Sequence, residues 1–385
     1  MNNQTYKLKD VCNITGGYAF KSSQFIDKGY PLIRIGEISD NKINIDSNTV
    51  YINDEIKKYE KYIIRKGDIL IALSGATTGK FGIYKYDEIS LLNQRVAKLC
   101  STDKILNRYL YHYMNKLKPV IFDKASGCAQ PNISTNEIGN IEIFVPEIKK
   151  QEKIVKVLDK AQELIDKRKE QIDQLDELVK SRFIEMFGEI KDYVTISEYI
   201  ESLTAGKSLA GESECKNKVL NTGSVSYDYY DETQVKNLPS DYLPKEEHLV
   251  NKGDVLISRM NTAELVGATA YIWKSKDNIY IPDRLWKANF KPNVNPIFVW
   301  QLLIQRSTKE KIRRIASGTS GSMKNISKAG LLGIEVINVD IDKQNEFAEF
   351  VKQVDKLKFE MEKSLKELED NFNSLMQKAF KGELF

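Results

Sequence analysis

Gly75-Ala76-Thr77-Thr78-Gly79-Lys80 is the segment whose residue types most invite a chemical reading, because glycine-rich loops ending in lysine cradle nucleotide phosphates. That motif needs four residues between its glycines and a Ser or Thr after the lysine. Here three residues separate the glycines and Phe81 follows the lysine, which argues against an ATP site. The segment reads instead as a glycine-rich β-turn with Lys80 at its tip, suited at most to a nucleic-acid phosphate or base edge. Asn295-Pro296-Ile297-Phe298 falls one residue short of the Asn-Pro-Pro-aromatic motif of adenine methyltransferases. No glycine-rich cofactor loop accompanies it, and a helix N-cap followed by an early proline explains it better. Pro282-Asp283 lacks the downstream acidic-x-Lys that would complete a nuclease metal site. The two histidines, His112 and His248, have neither metal-ligand spacing nor a triad around them. Cys12, Cys100, Cys128 and Cys215 are scattered and read as reduced thiols. No metal site and no catalytic constellation is expected.

Composition narrows the class. A hydrophobic fraction of 41% and an aromatic fraction of 10% over 385 residues suit two or three ordered domains. No stretch reaches the ~20 apolar residues of a membrane span, and residues 1–10 lack the apolar core of a secretory signal. A cytoplasmic protein is expected. The net charge of +4 is distributed unevenly. Residues 1–146 carry +5 and 190–341 carry +2, whereas 147–189 and 342–385 carry −1 and −2. Positive charge therefore collects in two large blocks joined by slightly acidic segments, which agrees weakly with two DNA-facing domains.

Those blocks are copies of each other. Tyr6-Lys7-Leu8 is echoed by Tyr193-Val194-Thr195, and Arg34-Ile35-Gly36-Glu37-Ile38-Ser39 by Asn221-Thr222-Gly223-Ser224-Val225-Ser226. Lys66-Gly67-Asp68-Ile69-Leu70-Ile71 recurs as Lys252-Gly253-Asp254-Val255-Leu256-Ile257. Ala125-Ser126-Gly127 recurs as Ala316-Ser317-Gly318, and Asn132-Ile133-Ser134 as Asn325-Ile326-Ser327. The offset drifts from 186 to 193, as loop insertions in a diverged duplication produce.

The connecting segments repeat too. Residues 151–187 contain no Pro or Gly, and apolar residues recur at steps of four and three: Ile154, Leu158, Ala161, Ile165, Ile172, Leu175, Val179 and Met186, interrupted by Arg168 and Arg182. Adding 193 gives a second seam from Phe347 to Ala379, with Lys358 as its polar break. Such a pattern predicts two long coiled-coil helices. Neither can bury its stripe alone, so pairing with each other is the economical solution, and pairing with a second chain is the alternative. The blocks themselves read as mixed α/β, with strand-like runs at 31–38, 68–73, 81–84, 94–99 and 141–145 and a helix at 104–117. In the second block the runs are 254–260, 268–273, 284–290 and 333–339, with a helix at 296–306. The expected fold is α/β: two mixed α/β domains separated by two long helices in an antiparallel coiled coil, a pseudo-twofold internal repeat. Its boundaries are 1–147, 148–189, 190–342 and 343–385.

Over essentially its whole length the chain resembles the specificity subunits of Type I restriction–modification systems. The resemblance is carried by the opening segment 8–17, Lys66-Gly67-Asp68, 74–82, and Leu92-Asn93-Gln94-Arg95. It continues through Ser126-Gly127, Gln130-Pro131-Asn132-Ile133-Ser134, and Pro146 before Gln151 and the long helix. It implies a non-catalytic chain whose two domains each read half of a split double-stranded DNA site. The helices would set the spacing and dock two adenine-N6 methyltransferase subunits. S-adenosylmethionine would sit on those partners, ATP and Mg on two motor-nuclease subunits where present, and no cofactor on this chain. The second block departs from the pattern, with Ile281-Pro282-Asp283-Arg284 and Met323-Lys324-Asn325 in the equivalent places.

A major-groove reader needs Arg, Lys, Asn and Gln on rigid supports, since these pair with purine edges. Lys80, Asn93, Gln94, Arg95, Gln130 and Asn132 are the candidates in the first block. Arg259, Asn261, Arg284, Lys287, Ser320 and Lys324 are those in the second. Each is equally readable as a solvated or turn-forming residue; Arg95 and Arg284 stand out because they occupy equivalent positions. A helix of about 54 Å exceeds one DNA turn of about 34 Å, so an asymmetric site with an untouched gap is expected. A stand-alone DNA-binding regulator and a coiled-coil protein adaptor remain as alternatives.

Overall fold

Ile69-Leu70-Ile71-Ala72 buries all four of its side chains, which a strand achieves only when both faces are covered. Its repeat, Val255–Ser258, does the same. Each is an inner strand of a four-stranded antiparallel sheet. In this computed structural model, which describes residues 4–39, 41–125, 131–318 and 323–385, the chain divides into two units. The first is Met1–Glu170 with Lys363–Phe385, and the second is Gln171–Glu362.

The units share one plan. In the first, the main sheet runs in the order Cys12–Gly16, Val96–Ser101, Ile69–Ala72, Phe81–Ile83. In the second the order is Ile200–Ala205, Leu285–Phe290, Val255–Ser258, Thr269–Tyr271. A smaller sheet joins Tyr30–Ile33 in parallel to Ser90–Leu92, and its counterpart joins Lys218–Leu220 in parallel to Ile279–Tyr280. Mixed α/β architecture is thus as expected, although the predicted run 31–38 ends at Ile33. There the chain turns into the 3-10 segment Ile35–Glu37, whose buried Glu37 carboxylate accepts both the Arg34 N–H and its guanidinium.

The helices also depart from the sequence reading. The helix expected at 104–117 is Asn107–Ala125 and passes through Pro119, because the buried stripe of Leu117, Ile121 and Ala125 continues beyond it. Its counterpart breaks into Pro296–Ile304 and Arg306–Ile315 at Gln305, whose ψ of 142° is not helical.

The long helices are Ile148–Phe187 and Ile341–Lys381. Within the first unit they run antiparallel: Lys169 pairs with Glu369 at 2.8 Å, and Ile154, Leu158 and Ile165 share a core with Phe372 and Ala379. Within the second they do so again, with Lys358 on Asp176 at 2.7 Å and Arg182 on Glu346 at 3.2 Å. The seam slips near its end. Phe183 and Phe187, not Arg182 and Met186, are the buried residues, since a 3.6-residue helix drifts against a 3.5-residue repeat unless it supercoils.

A buried glutamine fastens the start of each long helix to its own unit. Gln151 donates to the carbonyls of Pro146 and Lys104 and accepts the Leu106 N–H. Gln344 donates to the Val339 carbonyl and accepts the Asn295 N–H.

Candidate nucleic-acid interface

One backbone position in each unit gathers the candidate loops. Leu73, just past its strand, donates its N–H to the Arg95 carbonyl at 2.9 Å and accepts the Ile133 N–H at 2.9 Å. Arg259 occupies the same place in the second unit, donating to the Arg284 carbonyl and accepting from the Ile326 N–H, both at 3.0 Å. Next to these rungs Ser74 bridges Asn132, and Met260–Asn261 pairs with Lys324–Asn325. Each unit therefore assembles three loops, far apart in sequence, into one rim.

Two glycine positions make that approach possible. Gly79 and Gly267 turn the chain at φ +81° and +80° between paired strands, a left-handed conformation that costs other residues energy. Gly17 and Gly206 lie so close to neighbouring backbone that a Cβ would stand 2.1 Å from the Asn93 oxygen and 1.8 Å from the Ile281 oxygen. Bulk there would push the loops carrying Arg95 and Arg284 away from the sheet.

Arg95 and Arg284 are both exposed at the rim, with their backbones fixed by the rungs. Asn132 is exposed, Gln94 is exposed beside Arg95, and Lys80 is half-buried one residue from the rung, its carbonyl accepting the Ala72 N–H. The equivalent of Lys80 in the second unit is Ala268, so that cation is not duplicated. Asn261 and Lys324 face each other across their short pairing, and the Lys324 ammonium reaches the Gly318 carbonyl at 3.0 Å. Arg259 lies 5.8 Å from the Trp286 ring centroid. Gln130 and Ser320 lie outside the described residues.

Two candidates serve the scaffold instead. Asn93 is buried; its side-chain oxygen accepts the Arg95 N–H, the ordinary work of a turn asparagine. Lys287 is buried within its strand, donating to the Leu249 carbonyl at 2.9 Å and lying 3.5 Å from Asp254. Lys98 makes the same arrangement in the first unit, with the Ile63 carbonyl at 2.5 Å and Asp68 at 3.7 Å. Burial pushes the Asp254 carboxyl above its usual range despite the Asn251 N–H and Lys287, which oppose that rise. The signal for this role was in the sequence: both lysines follow two apolar residues of a buried strand, three residues after Arg95 and Arg284.

The glycine-rich segment is no phosphate cradle. The Thr78 hydroxyl is spent on the Gly75 and Pro131 carbonyls, and the Gly75, Thr78, Gly79 and Lys80 amides all donate to backbone carbonyls. Asn295 is the helix N-cap expected, accepting the Ile297 N–H at 3.0 Å with Pro296 in the first turn. Asp283 accepts from the Ser208 hydroxyl. Among the described residues no group of three His, Cys, Asp or Glu side chains is placed to hold a metal, and Cys12, Cys100 and Cys215 are free thiols. No described helix is long and apolar enough to cross a membrane.

Several buried polar atoms near the rims find no hydrogen-bond partner among the described residues. They are Ser74 Oγ in the first unit, and Ser258 Oγ, Arg259 Nε, Trp286 Nε1 and Asn325 Oδ1 in the second. Folded proteins rarely leave such groups unpaired, because each costs stability.

Residues 1–177 match the family model described as the Type I restriction modification DNA specificity domain. The match takes in just under half of the chain. The relationship to specificity subunits extends further along the sequence. The chain is 22% identical to the EcoKI specificity subunit of Escherichia coli K12, over 98% of this chain and 88% of that protein. It is 30% identical over 162 residues to the MjaVIII specificity subunit of Methanocaldococcus jannaschii, spanning 40% of this chain and 38% of that one. Among solved structures, the Type I restriction–modification S subunit from M. genitalium superposes with a TM-score of 0.54 at 15% identity. That match covers 99% of this chain and 96% of the other. At that identity the likeness is one of fold. The specificity-subunit resemblance read from the residues is borne out.

Proposed function

We propose that this chain is the DNA-reading subunit of a Type I restriction–modification complex and is not itself a catalyst. Each of its two units reads one half of a bipartite duplex site. The domains run 1–147 and 190–342, and the helical segments 148–189 and 343–385 pair as an antiparallel spacer that sets the gap between half-sites. The helices dock two adenine-N6 methyltransferase subunits in the cytoplasm, which carry S-adenosylmethionine. Motor-nuclease subunits, where present, supply ATP and Mg chemistry.

The observation that carries this reading is the duplicated rim. Arg95 with Asn132, and Arg259, Asn261, Arg284 and Lys324, stand on backbones locked by equivalent hydrogen bonds in the two units. Cationic and amide side chains on an ordered backbone are what base-edge recognition requires, because a support ordered in advance lowers the cost of binding. Lys80 and Gln94 add to the first rim as further candidates for base-edge or phosphate contact. Gln130 and Ser320, which precede Asn132 and Lys324 in the sequence, belong to the same proposal.

The test is duplex binding by the chain assembled with its methyltransferase, measured across a salt series. Six or more phosphate contacts predict a loss of about a thousandfold between 50 and 200 mM salt. Salt-insensitive or absent duplex binding would favour the protein-adaptor reading.

A further inference from the structure

Tyr227 and Tyr229 project from the second unit with 69% and 58% of their surfaces exposed, although large aromatic rings are ordinarily half-buried or more. Their rings are nearly parallel, with planes 18° apart and centroids 6.3 Å apart. They are not on a loose loop. Asp228 between them sits at φ 64°, in the left-handed region that non-glycine residues seldom enter. That conformation is fixed by its neighbours: the Asp228 carboxylate accepts the Thr269 N–H at 2.9 Å and the ammonium of buried Lys309, and its N–H donates to the Val225 carbonyl. The fold thus holds two tyrosines out into solvent on a half-buried carboxylate anchored by a buried lysine.

The same turn exists in the first unit, where Asn41 takes φ 63° between the paired strands Ile38–Ser39 and Lys42–Ile43. There the exposed residue matching Tyr229 is Lys42. The left-handed position is repeated, and the exposed residue that follows it, Lys42 or Tyr229, is not. That combination fits a position that differs between two readers of different sequences. The turn is also continuous with the second rim. The Asn261 amide donates to the Ser226 hydroxyl at 3.3 Å, directly beside Tyr227, and Asn261 pairs with Lys324. The carboxylate between the two tyrosines, Asp228, is paired with Lys309.

We propose that Tyr227 and Tyr229 form an aromatic contact to duplex DNA, packing their rings on base edges and sugars of the half-site read by residues 190–342. This rests on the DNA-reading function proposed above. Rigid aromatic rings supply contact area at little conformational cost, and that area is lost when the ring is removed.

The experiment uses the full chain assembled with its methyltransferase and a duplex oligonucleotide carrying the motif that the wild-type complex methylates. The Tyr227→Ala/Tyr229→Ala chain is expected to bind about tenfold more weakly. The slope of log affinity against log salt stays unchanged, because a neutral ring releases no counterion. The methylated motif should loosen only in the half assigned to residues 190–342. A Tyr227→Phe/Tyr229→Phe chain, which keeps the rings, should bind within about twofold of wild type. Both substitutions are at exposed positions, and an unchanged melting temperature will verify folding. Wild-type affinity and motif in the double-alanine chain would overturn the proposal. So would loss of methyltransferase copurification with duplex binding intact, which would assign the tyrosines to protein docking. Failure of the underlying reading is seen separately, as absence of motif-specific methylation by the wild-type complex.

Discussion

Removing the side-chain amide of Gln151 should weaken the first unit more than any single exposed substitution. Gln151 is fully buried and makes three hydrogen bonds, at 2.7 and 3.0 Å to the Pro146 and Lys104 carbonyls and 2.8 Å from the Leu106 N–H. In Gln151→Ala those three backbone groups lose their partner, the Pro146 carbonyl in a buried setting and the other two in half-buried ones, at about 1–3 kcal/mol for each group left unsatisfied. Even the low end gives about 3 kcal/mol, which for a unit of this size lowers the melting temperature by roughly 6–12 °C. Gln344→Ala removes two bonds, at 2.8 and 2.9 Å, so its effect on the second unit should be about two-thirds as large. Gln377→Ala, exposed on the same kind of helix, should change stability by less than about 0.5 kcal/mol. Differential scanning calorimetry of the three variants reads these differences directly. A Gln151→Ala transition within about 2 °C of wild type would refute the reasoning, because it would mean that water or rearrangement satisfies the abandoned groups.

Three further outcomes follow from the same geometry. Arg95→Ala should relax base preference in one half-site and Arg284→Ala in the other, each by about 1–3 kcal/mol of discrimination, read as motif degeneracy in methylation sequencing. Lys287→Met should destabilise the second unit by about 1–3 kcal/mol, by stranding Asp254 and the Leu249 carbonyl, and leave the motif unchanged; a motif change without a stability change would contradict its buried placement. Asp355 gives a pH dependence: burial pushes its carboxyl up to about 6, with Glu362 and Asp176 adding to the rise and Lys358 and Lys274 opposing it. A raised folded-state value means that this contribution is fully present below the ordinary carboxylate range and is lost as pH climbs through about 6. Asp355→Asn should therefore flatten the stability profile between about pH 4 and 6 and stabilise the protein at neutral pH, measured by denaturant midpoints across pH.

The repeat was legible because its strongest matches are residues that dictate backbone. Lys66-Gly67-Asp68 and Lys252-Gly253-Asp254 specify the same turn, and Gly67 and Gly253 sit at φ +94° and +96°. The long helices were legible from apolar spacing, yet the seam near Arg182 was misassigned by one residue, because periodicity alone does not reveal where a helix drifts out of heptad phase. The rim was only partly legible. Arg284 and Lys287 look alike in sequence, but one ends a loop and the other lies inside a buried strand, and charge does not distinguish these. Comparing the halves would have done so, since Lys98 and Lys287 recur where both sheets are buried. Tyr227 and Tyr229 were invisible as a site: their exposure depends on Asp228, Thr269 and Lys309, which come together only through the fold.

The most direct measurement of the two-reader account is the adenine methylome of a host expressing this chain with its methyltransferase, compared with the methyltransferase alone. The account predicts methylation at a split motif that appears only with the chain, and a change in one half of that motif alone when residues 190–342 are exchanged for those of another specificity subunit. Methylation that is unchanged by the chain, or that falls on a continuous motif, would contradict it.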